Sequence, residues 1–228
     1  MSIRRLGVAV GLLCVCGAVL LAVGCGGGGG QAQLRVLNAS PNIGAVDVLV
    51  DGATVASGIG YETATSYISV KTGSRHLQIE PTGSTTVAID TTLNLAGSSQ
   101  TTVIALNFAA SISPVVLTDS TTAPTSGDAQ IRVVNASPSM GSVDVYIVAP
   151  GTDLTTTTPV AQSLAFQSAT SYTSEVAGTW EIFFTVPGTT FILLDTGPIS
   201  FSSGQNRTVV SLNGAAGGYS SITLADLN

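Results

Sequence analysis

Eleven residues, NASPNIGAVDV from Asn38 to Val48, return as NASPSMGSVDV from Asn135 to Val145, 97 positions later. A chain that writes one phrase twice at that distance is built from two copies of one unit. Each copy then has the length of a small domain, on the order of 100 residues. The match extends outward: Gln33-Leu34-Arg35-Val36-Leu37-Asn38 faces Gln130-Ile131-Arg132-Val133-Val134-Asn135. Farther along, Ala64-Thr65-Ser66-Tyr67 returns as Ala169-Thr170-Ser171-Tyr172, now offset by 105, so the second copy carries eight extra residues within APGTDLTTTTPVAQSLAF.

Each copy reads as short strands separated by turn residues. The expected strands are 33–38, 46–50, 66–71, 75–80, 86–91, 101–107 and 114–118. In the second copy they are 130–135, 143–148, 171–176, 180–186, 190–195, 207–212 and 220–225. Val46, Val48 and Val50 alternate with Asp47 and Leu49, the period of a half-buried strand. Asn38 is placed to close an Asx-turn, Pro41 cannot donate to a ladder, and Gly44 permits the reversal into Val46. Asp51-Gly52 between apolar runs reads as a tight hairpin turn. The expected fold class is all-β: two tandem small antiparallel β-sandwiches of immunoglobulin-like type. STTAPTSGD at 120–128 is the linker between them.

The N-terminus has a basic start at Arg4 and Arg5, an apolar run from Gly7 to Val23, then Gly24 and Cys25. This order is that of an export signal. Leu21-Ala22-Val23-Gly24-Cys25 resembles the lipobox of bacterial lipoproteins, which implies lipidation of Cys25 and loss of residues 1–24. With Gly26 rather than Asp next in line, the resemblance also implies outer-membrane delivery if the organism has such a membrane, otherwise the outer face of the cytoplasmic membrane. Gly26 to Gly30 form a flexible leash. The expected division is signal peptide 1–24, lipidated Cys and glycine linker 25–31, repeat one 32–119, linker 120–128 and repeat two 129–228. Cys14 and Cys16 fall in the removed segment and Cys25 carries the lipid, so no thiol is left for a disulfide or a metal.

Removing Arg4 and Arg5 leaves 5 basic residues against 13 acidic ones, a net charge of −8. Nucleic acid, which requires a basic footprint, is excluded as a partner. His76 is the single histidine, and the second copy has Glu181 in its place, so a duplicated nucleophile–histidine pair is excluded too. Without cysteine and with one histidine, no typical zinc set exists. No D-x-D-x-D-G calcium loop is present, and no cofactor is expected. Arg35 with Asp47, and Arg132 with Asp144, are read as repeated cross-strand ion pairs of about 0.2–1 kcal/mol. Tyr67 and Tyr172, at matched strand positions, are read as packing residues. Trp180 replaces Arg75 of the first copy, and together with Thr155, Thr156, Thr157 and Thr158 of the inserted loop it is the candidate for ligand contact special to the second copy.

N-A-S-P followed by V-D-V, a tyrosine-containing strand, a glycine-started strand and a final V-x-L strand, written twice, resembles the bacterial family called domain of unknown function 4397. The resemblance covers residues 32–226. Many such proteins are predicted lipoproteins, and the family brings no established activity. The Tyr-Thr frequent in its last-but-one strand is here Thr101-Thr102 and Arg207-Thr208. The sequence thus describes a lipid-anchored, non-catalytic protein of the cell envelope. It acts as a structural or binding module and meets the membrane through its anchor, with an envelope protein or a glycan as partner. The alternative is a periplasmic or surface carbohydrate-active hydrolase using a carboxylate pair.

Overall fold

The computed structural model describes residues 30–228. The export signal, Cys25 and the first glycines of the leash lie outside the described residues. The first half holds β1 (Gln31–Ala39), β2 (Val46–Val50), β3 (Ala53–Ile59), β4 (Thr63–Ala64), β5 (Ile68–Lys71), β6 (Gly73–Pro81), β7 (Ile89–Leu95), β8 (Gln100–Leu106) and β9 (Ser113–Asp119). The second repeats them in order: β10 (Asp128–Asn135), β11 (Val143–Val148), β12 (Ala161–Leu164), β13 (Ser168–Ala169), β14 (Thr173–Val176), β15 (Gly178–Thr185), β16 (Ile192–Phe201), β17 (Asn206–Asn213) and β18 (Tyr219–Leu227). No helix among the described residues is long and apolar enough to cross a membrane.

Each half is a sandwich of two sheets. In the first half an inner sheet β4-β1-β8-β9, with β5 also on β1, packs on an outer sheet β3-β2-β6-β7. The second half matches it with β13-β10-β17-β18, with β14 on β10, against β12-β11-β15-β16. All pairings are antiparallel except β1 with β8 and β10 with β17, which run parallel. These four strands are buried on both faces, the setting in which parallel pairs occur, and their sequences read as nearly continuous apolar runs.

The double burial has a simple cause: the two inner sheets pack on each other. Ala32, Leu34 and Val36 of β1 enter the core of their own sandwich, whereas Leu37 and Ala39 point the other way. There they join Ile104, Leu106, Val134, Ala136, Val210, Leu212 and Leu224 in a core shared by the halves. The four sheets therefore stack as outer, inner, inner, outer around three apolar layers. Fully burying one leucine or valine side chain contributes roughly 1.5–3 kcal/mol, so the middle layer binds the halves firmly.

The repeated phrase works as a clasp between sheets. Asn38 Oδ1 accepts from the Ser40 amide at 3.2 Å, the Asx-turn expected from sequence. Its Nδ2 also donates to the carbonyls of Gly44 and Ile59 at 2.8 and 3.0 Å, tying the end of β1 to both ends of the β2–β3 hairpin. Asn135 does the same with Gly141 and Leu164. Asp51 and Gly52, with φ of 52° and 78°, form the two-residue hairpin turn between Val50 and Ala53.

β3 and β12 were not among the expected strands. ATVASGI is small and half exposed, and its pairing to β2 shifts register twice, so it shows no clean alternation. β4 and β13 are only two residues long.

The expected ion pairs Arg35–Asp47 and Arg132–Asp144 do not form. β1 and β2 belong to different sheets. Arg35 points toward the other half, while Asp47 points out from the far side of the sandwich.

Candidate functional site

Where the inner sheets meet, the charged residues gather into one buried cluster with approximate two-fold symmetry. Arg35, Arg132, Asp119 and Asp226 are each no more than 4% exposed. Arg35 reaches across to Asp226, and Arg132 reaches across to Asp119. Second contacts at 3.6 Å (Arg35–Asp119) and 3.8 Å (Arg132–Asp226) close the ring of charges.

The hydrogen bonds to the arginines and aspartates follow the same symmetry. Arg35 Nε donates to Thr102 Oγ1 at 2.9 Å, and its Nη1 to the Ala225 carbonyl at 2.8 Å. Arg132 donates to Thr208 Oγ1 at 2.9 Å and the Thr118 carbonyl at 3.0 Å. Asp119 accepts from the hydroxyls of Thr102 and Tyr67 at 2.5 and 2.7 Å. Asp226 accepts from Thr208 and Tyr172 at 2.6 and 2.8 Å. Each guanidinium stacks on the tyrosine of its own half, 4.6 Å from the ring centroid, so the ring supplies a cation–π contact as well as a hydrogen bond. Burial, and then the adjacent carboxylate, push both phenols well above their ordinary range.

Two positive and two negative charges with satisfied hydrogen bonds make a neutral polar lock. Removing one member would leave a buried, uncompensated charge. The sequence reading missed Asp119 and Asp226. The signal was present: Leu117-Thr118-Asp119 and Leu224-Ala225-Asp226 repeat at an offset of 107, at the end of the last strand in each half. Thr102 and Thr208, the conserved half of the divergent dipeptides, are the cluster's hydroxyls.

Asp47 and Asp144 have a different task. Asp47 accepts from the Gly58 amide and the Thr82 hydroxyl, both at 2.8 Å. Asp144 accepts from the amides of Ser163 and Gly188, both at 2.7 Å. Gly58 and Ser163 both have positive φ, at 68° and 50°, so each carboxylate fastens an irregular edge strand to the hairpin on its other side. The exposed hydrogen bonds from the Gly58 amide and Thr82 hold the Asp47 carboxyl below the usual carboxylate range.

Trp180 and the inserted threonines lie on opposite faces of one sheet. Trp180 packs with Ile182 and Phe184 against the inner core, its Nε1 donating to the Val176 carbonyl at 2.9 Å. The insertion crosses the outer face, where Leu154 covers Tyr146, Val148 and Phe183. Asp153 caps this turn by accepting from the Thr155 amide at 2.9 Å, while the hydroxyls of Thr156 and Thr157 donate back to its carbonyl at 3.0 Å. Thr155 and Thr157 line a cleft of about 530 Å³ that also takes in Asp144, Tyr146, Gln162 and Thr189. Thr158 is exposed and is not in its wall. His76 stands on the outer face of the first half, 2.6 Å from Asp90. Among the described residues, no group of three or more histidine, cysteine, aspartate or glutamate side chains is placed to hold a metal.

Two solved structures are similar at low identity. One is the carbohydrate-binding module CBMbc (family CBM26) from Eubacterium rectale Amy13K in complex with maltoheptaose, at 14% identity over 87% of this chain and 97% of that one, with a TM-score of 0.24. The other is a family 41 carbohydrate-binding module from streptococcal virulence factors, at 11% identity over 78% of this chain and 93% of that one, with a TM-score of 0.28. At such TM-scores the likeness carries no functional argument. No curated protein matches. The profile of Domain of unknown function (DUF4397) matches residues 32–146, from β1 through the repeated phrase into β11. With half of its length matched, the chain belongs to the DUF4397 family.

Proposed function

We propose that the protein is a lipid-anchored, non-catalytic binding module of the cell envelope, made of two tandem repeats of the family unit and held on the membrane by Cys25. The observation that carries this reading is the buried cluster. Arg35, Arg132, Asp119 and Asp226, which recur as two matched pairs, are neutralised by each other and hold the halves as one rigid body. Asp119 and Asp226 each accept an arginine, a threonine and a tyrosine. Neither is available as an acid or a nucleophile. The rigid body at the end of a glycine leash suits display of a surface rather than turnover. The lipobox resemblance supports the anchor, and outer-membrane delivery follows from it where that membrane exists.

The test is fractionation of cells expressing the protein and its Cys25→Ala variant, with the mass of the N-terminal peptide measured. The expected result is a membrane-bound parent that begins at a lipid-modified Cys25, and a variant released from the membrane. A parent that stays soluble and unmodified would remove the anchor. Glycosidase activity lost on substituting one of its carboxylates would favour the hydrolase.

A further inference from the structure

We propose that the cleft on the outer face of the second half is a binding site for a neutral saccharide. This deepens the binding-module reading and rests on it. The cleft belongs to the second copy only. In the first half, Asp51 and Gly52 alone join β2 to β3, and the outer face stays open. In the second half, residues 149–160 run between β11 and β12 and form one wall, while the β15–β16 hairpin forms the other. The volume, about 530 Å³, falls within the roughly 300–1,000 Å³ of small-molecule sites.

The floor calls for hydrogen-bond donors. Asp144 is 3% exposed and has no cation within ion-pair distance among the described residues. Its two oxygens each accept one backbone amide, which leaves lone pairs free on both. Its cross-strand neighbour Thr185, 0% exposed and with an unpartnered hydroxyl, is not itself part of the cleft lining. A buried carboxylate without a counter-ion is costly unless further donors complete its hydrogen bonds, and Asp144 does line the cleft.

The walls decide what kind of ligand. Tyr146, Thr155, Thr157, Gln162 and Thr189 offer donors and acceptors, and the lining contains no lysine, arginine or histidine. That composition rejects phosphates and carboxylates, which would meet Asp144 unscreened, and matches a molecule rich in uncharged hydroxyls. Leu154 and Pro159 supply apolar wall for the C–H face of a sugar ring, and Phe191, 68% exposed, follows directly on Thr190 at the rim.

The experiment uses the full chain in detergent micelles with four probes, maltoheptaose, cellohexaose, xylohexaose and chitohexaose, read by saturation-transfer NMR. It is run beside Gln162→Ala, Phe191→Ala and, as a control on the first half, His76→Ala, each confirmed to melt as the parent does. The expected result is saturation transfer to at least one oligosaccharide. Binding should weaken about tenfold in Gln162→Ala and Phe191→Ala, the loss of one good contact, and stay unchanged in His76→Ala. The proposal is overturned if none of the four binds, if both cleft variants bind as the parent does, or if calcium or spermidine binds at Asp144 instead. A saccharide that binds and is then cleaved would leave the cleft standing and overturn the non-catalytic reading. A protein found anchored at Cys25 that binds no saccharide would do the reverse.

Discussion

On the outer face of the first half, His76 pairs with Asp90, both in contact with solvent, while Arg75, on the other side of its strand, pairs with Asp51 at the β2–β3 turn. The matching face of the second half carries Tyr146, Val148 and Phe183 beneath Leu154. The inner faces show no such divergence: arginine, threonine, tyrosine and aspartate occupy corresponding positions in both halves. Each inner face is packed on the other copy, so a change on one side must be met by a change on the other. The outer faces are not packed on the other copy, and one of them carries an inserted loop and a cleft.

That contrast sets the order of expected effects. Arg35→Ala or Arg132→Ala strands a buried carboxylate, and urea unfolding should show a loss of about 3–5 kcal/mol. If either variant loses less than 1 kcal/mol, the inner cluster is not the lock described. Leu154→Ala opens a cavity over the outer face of the second half only. It should cost about 2 kcal/mol by the same measurement, with no counterpart in the first half.

Tyr67→Phe removes one donor from Asp119 and should cost about 1 kcal/mol near neutral pH. It should also change the pH profile. Both cluster tyrosines have folded-state pKa values raised above the ordinary phenol value of about 10, so their stabilising contribution is complete below that pH and is lost as pH rises above it. Tyr61, pushed up to about 12 chiefly by burial, adds to the same alkaline loss. Urea midpoints collected from pH 8 to pH 11 should therefore fall above about pH 10, and less steeply in Tyr67→Phe. The smallest effect belongs to the solvent-facing pair of His76 and Asp90: His76→Ala should stay within about 0.5 kcal/mol of the parent.

Most of this division was legible in the residues, but not all of it. Alternation in β2 marked a half-buried strand, and Asp51-Gly52 marked its hairpin. The runs Leu34-Arg35-Val36-Leu37 and Val103-Ile104-Ala105-Leu106 do not alternate, which is the mark of a strand covered on both sides. Read that way, they would have announced that the halves dock. Arg35 was assigned to Asp47 because both recur near the start of each copy. Pairing depends on which sheet and which face each residue occupies, and its true partner lies 191 residues away, in the other half. Trp180 shares parity with Ile182 and Phe184, which placed it in the core. The cleft was half legible, since the repeat offset located the insertion. That Asp144 and Thr185 lie side by side depends on the register of β11 with β15, which no local pattern reveals.

The two halves are one body held through their inner sheets. Trp180, the single tryptophan, reports on the second half alone, packed in that half's own core. Leu77 is 0% exposed and lies in the core of the first half. The most direct measurement is urea unfolding of the parent and of Leu77→Ala, followed by Trp180 fluorescence and by far-ultraviolet circular dichroism. One body gives a single transition, in which Leu77→Ala lowers the Trp180 midpoint as much as it lowers the circular dichroism midpoint. A Trp180 transition left in place while the first half unfolds early would contradict it.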